Sequence, residues 1–106
     1  MEINQSKKDE KLIMSLDGRL DANTAGSLEQ ALVPLIKADE NFIVLDLEKL
    51  EYISSAGLRV LLMCMKMLRK KDGRMILVGM KDFIKEVFDI AGFTPIFEIL
   101  DTVNDV

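Results

Sequence analysis

Residues 42–78 read FIVLDLEKLEYISSAGLRVLLMCMKMLRKKDGRMILV, and this stretch decides the fold. Phe42-Ile43-Val44-Leu45 is a continuous apolar run bounded by polar residues. A strand covered on both faces reads this way. Met75-Ile76-Leu77-Val78 repeats the pattern and stops at Gly79. Between them, Ser55 to Lys71 carries apolar residues at helical spacing and closes on Asp72-Gly73. Two buried strands joined through a helix imply a crossover connection and a parallel pair.

The flanks extend the same architecture. Lys11 to Leu20 alternates, with Leu12, Met14 and Leu16 on one side, which predicts a half-buried strand. The polar cluster Lys7–Glu10 predicts a turn before it, and residues 2 to 6 a weaker partner strand. Asp21 to Lys37 has helical spacing through Ala25, Leu28, Leu32, Leu35 and Ile36, with Asp21, Asn23 or Thr24 available as a cap. Pro34 is expected to shorten or kink this helix. Asp82 to Ala91 predicts a third helix with Phe83, Ile84, Val87, Phe88 and Ala91 on one side and Gly92 as its stop. Ile96 to Leu100 reads as a last short strand, and a helix can begin after Asp101. The expected fold class is α/β: one domain over residues 1–106, with a mixed, mostly parallel sheet of four to five strands and three to four helices.

Composition narrows the function. Fourteen Lys and Arg against 18 Asp and Glu give a net charge of -4, and the aromatic set is five Phe, one Tyr and no Trp. That balance speaks against nucleic acid as a partner. With no His and only Cys64, no metal centre is expected, and no Ser-His-Asp triad can form. Neither a Gly-x-Ser-x-Gly elbow nor a Gly-x-x-x-x-Gly-Lys loop is present, so we expect no catalytic residue and no cofactor. Lone Cys64 inside an apolar run reads as a small buried hydrophobe in a reducing setting. Met1–Lys11 has no apolar core for a leader, and Val60–Met65 is too short to span a bilayer, so a cytoplasmic protein without membrane insertion is expected.

The segment Tyr52-Ile53-Ser54-Ser55-Ala56-Gly57-Leu58-Arg59 carries the functional expectation. Serine is a favoured N-cap, so either Ser54 or Ser55 can cap the helix. One serine suffices for that, and here there are two. Ala56 and Gly57 are expected to leave the first turn uncovered for a partner's approach. At about 100° per residue, Leu58, Leu61, Leu62, Cys64, Met65 and Leu68 share a core-facing arc. Ser55, Ala56, Arg59, Met63, Lys66, Met67 and Lys70 share the opposite one. Methionines among cations on an exposed arc suit a partner surface.

Three stretches resemble the anti-sigma factor antagonist family, bacterial members of the STAS domain class. They are Gly18-Arg-Leu-Asp-Ala-Asn-Thr-Ala-Gly-Ser-Leu28, Leu45-Asp46-Leu47 through Tyr52–Leu58, and Val87-Phe-Asp-Ile-Ala-Gly-Phe93. The resemblance implies a STAS-like fold and a serine at the start of the second helix that a partner kinase phosphorylates. That kinase is often itself the anti-sigma factor. The unphosphorylated form binds it and the phosphorylated form lets go. Counting back from Gly57 places the phosphorylated serine at Ser55, with Ser54 as second candidate. The resemblance implies that the partner meets the edge of Asp21, Asn23 and Thr24 beside Ser54, Ala56 and Gly57. With Arg59, Met63, Lys66 and Met67 of the outward arc these make the expected partner surface, and the free chain is expected to be monomeric. The alternative is a stand-alone STAS subunit of a transporter or of a secretion or biofilm regulatory complex.

Overall fold

Alternation in the second strand puts Leu12, Met14, Leu16 and Leu20 on one face, and all four are buried. In the computed structural model, which describes residues 1–106, that strand is β2 (Lys11–Leu20). It follows β1 (Glu2–Lys8) through a tight turn in which Asp9 takes a left-handed φ of 54°. The chain continues as α1 (Ala25–Lys37), β3 (Phe42–Asp46), β4 (Leu50–Ile53), α2 (Ser55–Arg69), β5 (Arg74–Val78), α3 (Asp82–Ile90) and β6 (Glu98–Leu100). Single 3-10 turns lie at Thr94–Ile96 and Val103–Asp105.

The sheet has the order β1-β2-β3-β5-β6, with only the β1–β2 pair antiparallel. A sixth strand, β4, pairs in parallel with the far half of β2. The sheet is therefore one strand larger than expected. β2 is long enough to hold β3 along Leu12–Ser15 and β4 along Gly18–Leu20. A register shift between Gly18 and Arg19 makes the change of partner possible, and Gly18 supplies it with a φ of 112°.

One face of the sheet carries the helices. Ile43, Leu45, Met75 and Leu77 point there and meet Leu28, Leu32 and Ile36 of α1, Leu58, Leu61, Cys64, Met65 and Leu68 of α2, and Ile84 and Phe88 of α3. Val44, Ile76 and Val78 point the other way, beneath Val103 and Val106 of the C-terminal turn. This is why both central strands read as unbroken apolar runs. No helix is long and apolar enough to cross a membrane.

Four local expectations need correction. α1 starts at Ala25, because Asp21–Thr24 forms a turn of its own, and it runs through Pro34 to Lys37. Gln30, whose carbonyl loses its partner to that proline, is exposed. Of the five residues expected on the buried side of α3, only Ile84 and Phe88 are buried; Val87 is half-buried, Phe83 is 46% exposed, and Ala91, just past the helix, is exposed. Two buried positions four apart suffice for a helix of nine residues lying at the rim of the sheet. Leu62 lies half-buried at the border of the α2 core arc. The last strand begins at Glu98 because Thr94-Pro95-Ile96 turns first.

Candidate functional site

The site is built where β2 and β4 end together. Leu20 and Ile53 are in register, so Asp21 and Ser54 leave the sheet side by side. The Ser54 amide donates to the Leu20 carbonyl at 2.9 Å, which ties the two exits. One exit leads to α1 and the other to α2.

The first exit is held by its own side chains. The Asp21 carboxylate accepts from the amides of Asn23 at 2.9 Å and Thr24 at 3.2 Å. The Thr24 hydroxyl accepts from the Asp21 amide at 2.9 Å and donates to the Arg19 carbonyl at 2.8 Å. Asp21 and Thr24 thus spend their polar atoms on the turn, in the reciprocal manner of a capping box. Asn23 projects from it, exposed.

The second exit separates the two serines. Ser54 is the N-cap, in extended conformation, and its hydroxyl accepts from the Gly57 amide at 3.3 Å. Ser55 is the first helical residue and is exposed. Ala56 is half-buried beside it. Gly57 departs from its expected place. It is buried, and a Cβ there would come 2.6 Å from Leu20 Cγ and 3.1 Å from Ile53 Cγ1. The missing side chain serves close packing of α2 on the sheet, so Gly57 offers no uncovered backbone to a partner.

Beyond the first turn, the outward arc of α2 follows the expected pattern. Arg59, Lys66 and Lys70 are exposed, and Met63 and Met67 are half-buried between them. With Leu62 they line a shallow groove of about 510 Å³. On the inward arc, burial pushes the Cys64 thiol up to about 12, and the charge of Glu29 adds to that effect. Such a thiol is protonated and inert at neutral pH.

Two neighbouring side chains were missed in the sequence. Arg19 lies over the Tyr52 ring at 4.2 Å from its centroid, and its guanidinium also faces the Asp21 carboxylate at 3.8 Å. Tyr52 is 40% exposed. Arg19 and Tyr52 meet only because β2 and β4 pair, and β4 carries too little alternation to announce itself. Their available signal was position: Tyr52 stands two residues before the serine pair.

Comparison with known proteins bears on the family and the fold. The STAS domain family model matches residues 2–106. BtrV of Bordetella bronchiseptica, named as an anti-sigma factor antagonist, is 40% identical over 96% of this chain and 88% of its own length. A crystal structure from Thermotoga maritima superposes with a TM-score of 0.93 at 21% identity, covering 97% of this chain and 89% of the other. The Bacillus cell-fate determinant SpoIIAA in its phosphorylated form superposes with a TM-score of 0.78 at 22% identity, covering 98% and 94%. Ser54 as the cap, Ser55 at the head of α2 and the full-length domain match fit one assignment: the chain belongs to the STAS domain family, among the anti-sigma factor antagonists.

Proposed function

We propose that this chain is a phosphorylation-switched antagonist of an anti-sigma factor that is also a serine kinase. In the unphosphorylated state it binds that partner through Ser55 and the outward arc of α2. Phosphorylation of Ser55 releases it. In this reading the chain works as a monomer in the cytoplasm and catalyses nothing itself.

The observation that carries the reading is the division of labour between the serines. Ser54 satisfies the helix start, which leaves the exposed Ser55 hydroxyl free to be modified without loss of a cap. A phosphate on Ser55 would sit among the unpaired N–H groups of the first turn, where the helix dipole favours an anion. The phosphorylated form in which SpoIIAA has been solved supports the same chemistry on this fold. Asp21 and Thr24 act in this reading as builders of the loop beside the serine, and Asn23, Ala56, Arg59, Met63, Lys66 and Met67 as the contacts.

The test is incubation with the cognate kinase and ATP, followed by mass spectrometry. The phosphate is expected on Ser55. Ser55→Ala should stay bound to the kinase in the presence of ATP while the native chain dissociates. Phosphate on Ser54 alone, or equal release of Ser55→Ala, would overturn the assignment.

A further inference from the structure

From Ser55 to Lys71 there is no Asp or Glu, although the chain as a whole has 18 of them against 14 cations. Five cations fall in this stretch, and two are spent on the fold. Arg69 donates to the Ile96 carbonyl at 2.6 Å, and Lys71 pairs with Asp39 at 3.1 Å. Arg59, Lys66 and Lys70 have no carboxylate within ion-pair distance. All three are exposed, and all three line the groove whose apolar floor is Leu62, Met63 and Met67. At about 1.5 Å per residue, the strip from Arg59 to Lys70 is about 16 Å long, or three helical turns.

The chemistry of the strip selects its occupant. A row of Leu and Met is matched by apolar side chains at helical spacing, and flexible Met adapts to their shape. Three unpaired cations along one strip are matched by carboxylates on the occupant's flanks. A second copy of this face would bring only further cations and would be repelled. A single strand of nucleic acid would find no aromatic ring on the strip to stack against.

We propose that the outward face of α2 docks an acidic amphipathic helix of the partner protein. This rests on the reading of α2 as the partner surface and gives that surface its chemical class. It also gives the phosphate a second lever. Ser55 stands one turn from Arg59, so a phosphoserine would draw that guanidinium to itself and repel the carboxylates arriving beside it.

The probe is a synthetic helical peptide of about five turns, with Leu at i, i+3, i+4 and i+7 and Glu on both flanks. Its twin carries Lys for every Glu. Each is titrated into the full, unphosphorylated, 15N-labelled chain. We expect the acidic peptide to shift amides between Arg59 and Lys70. Its affinity should fall at least about fivefold between about 50 and about 300 mM NaCl. The double variant Lys66→Glu/Lys70→Glu, at two exposed positions, should prefer the basic twin while keeping native amide dispersion. Equal binding of both peptides to the native chain, binding of neither, shifts mapped elsewhere, or preference for phosphatidylglycerol vesicles would each overturn the proposal. No kinase or ATP is present, so failure of this docking and failure of the Ser55 switch are separate results.

Discussion

Gly57 and Ser54 show how single residues position the serine between them. Replacing Gly57 with Ala gains some helix propensity, less than about 1 kcal/mol this near the helix start. It also drives a Cβ to 2.6 Å from Leu20 Cγ, inside a fully buried contact. Overpacking of that kind costs about 1–3 kcal/mol, so the steric effect wins and Gly57→Ala should destabilise. Ser54→Ala loses the bond to the Gly57 amide, worth about 1 kcal/mol, whereas Ser55→Ala should leave stability within about 0.5 kcal/mol of native. Urea titrations of the three variants check the order; a Ser55→Ala loss equal to that of Ser54→Ala would mean that the capping roles are shared. Cys64 makes a prediction in pH. Its thiol is raised from 9.0 to about 12 by burial, so the folded state favours the neutral form. Stability from this group is complete below pH 9.0 and declines as pH rises towards 12, because the unfolded chain ionises first. The stability gap between native chain and Cys64→Ala should therefore narrow above pH 9.0, and a gap that widens would contradict the burial argument.

Elements were legible wherever burial left one plain pattern. The alternation of β2 and the spacing of α2 gave correct placement because a single buried face fixes each period, and the apolar runs of β3 and β5 did so because both of their faces are covered. β4 was missed for the complementary reason. Leu50 and Ile53 are buried but Glu51 and Tyr52 between them are exposed, so four residues show no period of two. Its existence depends on pairing with β2 past Gly18, which is a contact distant in sequence. The exposure of Phe83 and the burial of Gly57 were equally hidden, since each depends on what packs opposite. α1 provides the test at this scale. Pro34 lies inside the helix and exposed, so it removes one backbone bond without filling the core. Proline in a helix interior is about 3 kcal/mol worse than alanine, but near the last turn part of that cost is absent. Alanine also returns freedom to the unfolded chain, worth up to about 1 kcal/mol. The propensity gain is the larger, and Pro34→Ala should raise the urea midpoint by the equivalent of about 1 kcal/mol at unchanged m value. A lower midpoint would show that the proline ring supports the neighbouring packing.

For the whole molecule, the question is whether phosphorylation works by changing the fold or by changing its surface. A phosphate on Ser55 adds about two negative charges to a chain already at -4. Repulsion from acids elsewhere on the surface is screened beyond about 8 Å at physiological salt. Close by, the balance favours the anion. The first turn of α2 has unpaired N–H groups and the positive end of its dipole, worth about 0.3–1 kcal/mol, and Arg59 stands one turn away. The strands beneath are held by an apolar core that the phosphate does not touch, since Ser55 points outward from Gly57 and Leu58, which are buried. Local attraction therefore exceeds long-range repulsion, and the phosphorylated chain should melt at an unchanged midpoint or up to about 4 °C higher. The partner meets the opposite balance. A contact shaped for a hydroxyl must strip water from a dianion, and carboxylates on the docking helix meet a like charge at close range. Affinity for the kinase should fall at least about tenfold, or about 1.4 kcal/mol. Thermal unfolding, amide dispersion and a binding titration on the same phosphorylated sample test both halves. A midpoint lowered by many degrees, or collapsed dispersion, would place the switch in the fold and not at the surface of α2.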